Sequence, residues 1–423
     1  MADDVALLLR RAGYGPISTE LAAARAAGYE ATVASLTAPT GPDVGASSTP
    51  IPSLGPDPFS MLPKNATTAQ RAVAADKRWR QTQTLTQWWL DRLTMADHQA
   101  REKFVFFWHG HWATSVRKVI RPKLMLRQHR TLRSTFDFSA MAHRMVRDPA
   151  LIYWLDGQLN TRSAPNENLG RELMELFMLG IGTYTERDVK EAGRALTGWR
   201  LDYDAATSFL HPASADRGRK TILGTTRDFD TDGLVDFLLT QEACPRFLAS
   251  RLWFRYASAT EPIPEATRER MVAAFPDTMA MLRVLLVDEA FLATGGKLVK
   301  QPVEWLVGAM RQLGLRPGSL PPDTLLLVID GLERLGQLPF APPSVGGWPA
   351  GTAWLTAGAA QVRLGLANRF AKQAVTDRLT PESLANLLAV DTWTNRTYAA
   401  MKGVSDTPTL LVLGLASPEY LVT

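Results

Sequence analysis

Along most of the chain, apolar residues recur every three or four positions, the period of a helix with one buried face. That pattern predicts helices over 5–12 and 19–36 and one long helix over 67–94, whose aromatic face holds Trp79, Leu85, Trp88, Trp89, Leu90 and Leu93. Another is predicted over 99–116, carrying KFVFFWHGHWATS, followed by one after Pro122 and shorter ones over 139–146 and 149–155. From Arg200 to Leu223 the pattern changes to short β-prone runs parted by turn residues, a small hairpin-like excursion. Helical spacing resumes over 234–239, 245–256, 264–275, 278–293, 302–313 and 324–335, then around 361–374, 381–388 and 395–401. The stretch 39–63, rich in Pro, Gly, Ser and Thr, reads as an irregular and mobile surface segment, and FAPPSVGGWPAGTAW as a second irregular run. The expected fold is all-α: a large multi-helix unit spanning 1–423, with a β excursion near 200–223.

The densest polar pattern lies at 166–199, NENLGRELMELFMLGIGTYTERDVKEAGRALTGW. Asn166 is a suitable N-cap for a helix over 167–179, and Gly180 and Gly182 supply its stop. Thr185 caps a second helix, with Asp188 at the capping-box distance. At about 100° per residue, Asn168, Glu172, Glu175 and Leu179 fall on one stripe, beside Leu169, Leu173, Leu176 and Phe177. Two readings follow. Either Arg171 pairs with Glu167 and Glu175 while Glu172 faces water, or Glu172 and Glu175 sit on an inward edge as metal ligands or an acid/base pair, which requires burial and partners.

Composition narrows the classes. The 423 residues are 46% hydrophobic and 21% charged with a formal net charge of +5, an ordinary globular balance that permits an anionic partner without demanding one. A single cysteine, Cys244, excludes an intrachain disulfide framework and a cysteine-rich zinc site. The start, MADDVALLLRR, places acids where a signal peptide carries basic residues, so a cytoplasmic location is expected. The longest apolar runs fall short of the roughly 20 residues of a membrane span. No phosphate-binding loop, nucleophile elbow, kinase signature or dinucleotide fingerprint is present.

Candidate chemistry therefore rests on scattered side chains. His109 and His111 point about 200° apart on a regular helix and can share one ion only if the helix is distorted or ends near Gly110. Each can equally be a packed core histidine. His211 lies in the excursion, beside a proline. With Glu172 and Glu175, these histidines form a mixed nitrogen and oxygen set suited to zinc, iron or manganese, provided that they meet. The basic run Arg117, Lys118, Arg121, Lys123, Arg127, Arg130 and Arg133 reads as a solvated helix face without specific nucleic-acid binding, and Lys300 and Arg311 as surface charges. Glu304, among apolar neighbours, is harder to place on the surface. Finally, LLVDEAFLAT, ending at Thr294, echoes GLASPEYLVT, ending at Thr423.

FFWHGHWATS, the 166–199 block, HPASADRGRKTILG, KLVKQPVEWLVGAMRQLG, LLLRRAGYGP and SPEYL resemble, in this order save for the N-terminal LLLRRAGYGP, a large bacterial family catalogued as domain of unknown function eighteen-hundred. The resemblance covers nearly the whole chain. It implies no settled activity. It implies proximity to a second family that looks like sulfatases and alkaline phosphatases, and export in many relatives, from which the acidic start departs. Some relatives carry histidine at the position of Phe177, so that position is not an essential ligand here. Two functions are expected: a metal-dependent enzyme with a His/Glu site, or a non-enzymatic partner or scaffold for a sulfatase/phosphatase-like protein.

Overall fold

The computed structural model describes residues 3–423. Its organising element is the helix Gln99–His111, in which every residue except Arg101 is buried. A helix buried all round must be packed all round, its polar groups paired inside, and this one faces two cores. Phe104, Phe107 and Trp108 enter one, shared with Leu173, Phe177, Leu248 and Leu252. Val105 and Phe106 enter the other, shared with Trp89, Trp305, Phe370 and Leu411. Each such side chain contributes roughly 1.5–3 kcal/mol by leaving water, so the two cores hold the helix from both sides.

The fold is all-α with a small β part, as the spacing predicts. The β part is two antiparallel hairpins: Trp199–Asp202 with Thr207–Leu210, and Lys220–Ile222 with Thr225–Arg227. The long helix runs Thr68–Met95, and the segment 39–63 is tied to it: Trp88 donates to the Thr49 carbonyl at 3.0 Å, and Arg78 pairs with Asp57 at 2.6 Å. Two predicted single helices are each divided. The first becomes Ser18–Ala27 and Tyr29–Thr37, separated by Gly28. The second becomes Thr278–Leu286 and Glu289–Leu292, where Asp288 caps the new start by accepting from Ala290 N at 3.0 Å. The helix predicted over 99–116 ends at His111, and Thr407–Ala416, absent from the sequence reading, packs against Ala357–Gln373.

Two expectations about charge are overturned. Lys300 is buried with its ammonium 3.5 Å from the centre of the Tyr420 ring, and Arg311 is buried between Glu20, at 2.7 Å, and the carbonyls of Thr94 and Gly15. Their partners lie far away in sequence, beyond the reach of a local pattern. The basic run is likewise largely paired: Arg133 with Glu102, Arg117 with Glu333, Lys118 with Asp156 and Arg121 with Asp57. Only part of it is a solvated face.

The echo between the two LxT segments has a structural counterpart. Each ends in a four-residue capped helix, and both threonines meet one buried residue, Arg11. Its guanidinium donates to the carbonyl of Thr294 at 2.9 Å, to the hydroxyl of Thr423 at 2.8 Å, to the Thr423 carbonyl, and to the carbonyls of Tyr256 and Ala257. Burial lowers the Arg11 pKa to about 9, and these acceptors offset the desolvation of the charge.

A candidate anion-binding cleft

The 166–199 block folds around a close backbone contact between Gly170 and Gly193. Asn166 accepts from Asn168 N at 2.9 Å, and the helix Asn168–Glu172 lies against Glu186–Ala195 so tightly that a Cβ on Gly170 would stand 2.7 Å from Gly193 N. Buried Asn160 locks the pair, donating to the Gly193 carbonyl at 2.8 Å and accepting from Asn166 N at 2.8 Å. The predicted capping box of Thr185 and Asp188 is present.

The first helix then departs from its expected form. Leu173–Met178 is a π-helix, with Leu179 N bonded to the Met174 carbonyl at 2.8 Å. Wider turns advance fewer degrees per residue than an α-helix, so the straight stripe of Asn168, Glu172, Glu175 and Leu179 is broken. Asn168 is exposed, Glu172 and Glu175 are half-buried, and Leu179 is buried. Arg171 pairs with Glu186 at 2.7 Å and with Glu167 at 3.4 Å, leaving Glu175 to accept from the Tyr184 hydroxyl. Burial, and then the neighbouring Glu175, raise the Glu172 pKa.

Gly180, at φ 85°, ends the π-helix in a conformation that L side chains rarely adopt, and a Cβ there would meet the Phe247 ring at 2.9 Å. The last carbonyls of the helix are thereby left for other donors. That of Phe177 accepts from Nε2–H of buried His111 at 2.9 Å. A carbonyl can only accept, so the proton sits on Nε2 and Nδ1 carries the free lone pair. Nδ1 has no partner among the described residues. Burial, and then the charge of Arg251, lower the His111 pKa to about 3, so the ring is neutral.

His111 and Glu175 line one cleft of about 730 Å³, whose other walls come from the helix Ala243–Tyr256 and from Val345 and Gly346 of the second irregular run. Three arginines line it: Arg246, Arg251 and Arg268. Two are neutralised, Arg246 by Glu265 and Glu269, and Arg268 by Glu265 at 2.5 Å. Arg251 differs. Among the described residues no ion pair or hydrogen bond involves its side chain, its Nε is buried without a partner, and burial lowers its pKa. A half-desolvated cation without a counter-charge costs the fold free energy, and an anion in the cleft would offset that cost.

The remaining sequence candidates lie elsewhere. His109 is enclosed by Trp89, Phe340 and Trp348, with ring centres 5.1, 5.4 and 5.5 Å away, and burial lowers its pKa to about 3. His211 is exposed and bonds Ser214 at 2.9 Å. No three His, Cys, Asp or Glu side chains among the described residues group as a metal site. The five-residue ligand set therefore does not assemble: His111 and Glu175 share the cleft, Glu172 stands beside Glu175, and His109 and His211 are apart. The sequence reading missed Arg246, Arg251 and Arg268. A signal was available for two of them, since ACPRFLASRLWFRY holds Arg246 and Arg251 and no acidic residue.

A family described as "Protein of unknown function (DUF1800)" matches residues 7–422. The chain belongs to this family. Within this DUF1800 chain, the matched span contains the whole cleft. No curated protein and no solved structure matches it. No helix among the described residues is long and apolar enough to cross a membrane.

Proposed function

We propose that the cleft binds a small molecule through a carboxylate or sulfate-like group held by Arg251, that His111 orients the bound molecule, and that Glu175 acts on it by proton transfer. The observation that carries this reading is the unpaired guanidinium of Arg251 beside an imidazole whose Nδ1 is also without a partner. Arginine presents a planar fork of donors that matches such anions in two-point contact. A neutral Nδ1 suits the acceptance of a hydrogen bond from a ligand hydroxyl, and the lowered pKa of the ring leaves proton removal to the neighbouring carboxylates. Glu175, oriented by Tyr184, and Glu172, which holds its proton more tightly than an ordinary carboxyl, form the adjoining pair.

A second reading keeps the metal-dependent enzyme. His111 Nδ1 and Glu175 are two donors in one cleft, one fewer than the three protein ligands usual for catalytic zinc, so the ligand itself would complete the sphere. Elemental analysis of the purified protein separates the readings, because stoichiometric zinc, iron or manganese belongs only to the second. Calorimetric titration with sulfate and with succinate at constant ionic strength tests the first. One saturable site, weakened at least tenfold in Arg251→Met, is expected. Equal binding by the wild type and Arg251→Met would refute it.

A further inference from the structure

A second basic cleft, formed mainly by the 122–154 region, is not used by the reading above. It encloses about 610 Å³ between the helices Pro122–Ser134 and Phe138–Met145 and the start of Pro149–Trp154. Arg127, Arg130, Arg144 and Arg147 line it, together with Asp148. Arg147 is engaged by Asp232, and Arg144 donates to the Ser134 hydroxyl at 2.6 Å. Arg127 and Arg130 are exposed and have no ion pair among the described residues. These two are the part of the basic run that the fold leaves free.

Asp148 makes this more than a charged surface. The residue is 2% exposed. Its Oδ1 takes all the bonds of the N-cap, accepting from Ala150 N and Leu151 N at 3.0 Å and from Gln128 Nε2 at 3.1 Å. Gln128 is itself fixed by Thr114, whose hydroxyl donates to it at 2.6 Å. Oδ2 is buried and has no partner among the described residues. A carboxyl oxygen in that position is unusual among arginines, because an ion pair would be the simplest use of it.

We infer that this cleft is a phosphate site, taking inorganic phosphate or a phosphomonoester, with Arg127 and Arg130 as donors to the anion and Asp148 Oδ2 sharing a proton with a phosphate oxygen. Near neutral pH a phosphomonoester exchanges its second proton, with a pKa of about 6, so one oxygen alternates between P–OH and P–O⁻. Burial pushes the Asp148 carboxyl up to about 7, which matches it to that exchange. Sulfate and phosphodiesters have no such proton. Against a sulfate or a nucleic-acid backbone Oδ2 is satisfied only when it is protonated and donates, whereas a phosphomonoester satisfies it in either form. The chemistry thus favours a phosphomonoester over a polynucleotide, despite the basic surroundings.

The test is titration of the full-length protein with inorganic phosphate, methyl phosphate, sulfate and a single-stranded oligonucleotide at matched ionic strength. Both the wild type and Arg251→Met serve, the latter so that the first cleft does not contribute. Phosphate and methyl phosphate should bind at least tenfold tighter than sulfate, and Arg127→Ala with Arg130→Ala should remove that binding. Both positions are exposed and unpaired, so the double variant keeps the fold. Asp148→Asn, which retains the capping oxygen, should bring phosphate down to the sulfate level. Equal binding of phosphate and sulfate by Arg251→Met, in which the first cleft does not contribute, or phosphate binding indifferent to all three further substitutions in that background, would overturn the site. Oligonucleotide binding tighter than methyl phosphate would replace it with a nucleic-acid surface.

Discussion

Two regions of this molecule bury charge, and they do so in opposite ways. Beside Tyr14 and Tyr256, Lys103 meets Glu304 at 2.9 Å, its ammonium also donates to the Gly13 carbonyl at 2.9 Å, and Glu304 accepts from Gln301 N at 2.8 Å. Arg11, close by, finds carbonyls and hydroxyls in nearly every direction. At the end of the Gln99–His111 helix, half-buried Arg251 has no ion-pair or hydrogen-bond partner among the described residues, and buried His111 has one at Nε2 but none at Nδ1. Closed networks of the first kind fix a fold. Open groups of the second kind cost stability and are kept where a ligand completes them. The contrast sets charge that serves structure against charge that we propose serves binding.

The largest expected effect lies on the closed side. Glu304→Leu strands a buried ammonium and should cost about 3–5 kcal/mol of stability, whereas adding Lys103→Met should restore much of it, because an apolar pair of similar volume can replace a buried ion pair. Urea unfolding of the single and double variants measures both. A double variant no more stable than the single would show that the ammonium is not what the glutamate serves.

How much of this the sequence disclosed depends on range. The Thr185–Asp188 capping box and the long helix were legible, because a cap and a periodic face are decided within a few residues. The break between Leu286 and Glu289 was readable in principle from Asp288, an N-cap residue inside an apolar run. The π-helix was not legible, since its wide turn is held by contacts with Phe247 and His111 from other elements. Lys300 and Arg311 were misplaced because a charged residue reads as exposed until its distant partner is known. The candidate site was half legible: His111 and Glu175 were named, but the arginines opposite them lie on two helices, Ala243–Tyr256 and Glu265–Val272, that only the fold brings there.

Acid should unfold the protein through its buried histidines. His109 and His111 are neutral in the fold, with pKa values lowered to about 3, and burial also lowers that of His129. In the unfolded chain these rings take up protons near pH 6.5. Their contribution is therefore complete above about pH 6.5 and declines as pH falls toward 3, by on the order of 1 kcal/mol per pH unit for each ring. Asp148, raised to about 7, acts oppositely, gaining stability as pH falls from 7 toward its ordinary value of 3.8, and Glu172, also raised, acts in the same direction, but these are two groups against three. Denaturant midpoints should fall steadily from pH 7 to pH 5. A flat profile would contradict the burial of these rings.

Gly180→Ala should cost less, about 1–2 kcal/mol for the left-handed backbone, with some addition as Phe247 shifts away. Because that turn frees the Phe177 carbonyl for His111, the variant should also weaken anion binding in the cleft. Loss of stability with unchanged binding would separate the turn from the site.

The smallest effect on stability is expected where the effect on binding is greatest. Arg251→Met removes a cation that has no partner to lose, so without ligand the variant should melt at or slightly above the wild type. The direct test is the melting temperature of both proteins with and without sulfate at constant ionic strength. The wild type should rise with sulfate to saturation, and Arg251→Met should not respond. A variant that melts several degrees below the wild type yet responds to sulfate as strongly would show that Arg251 holds the fold and that the cleft is not an anion site.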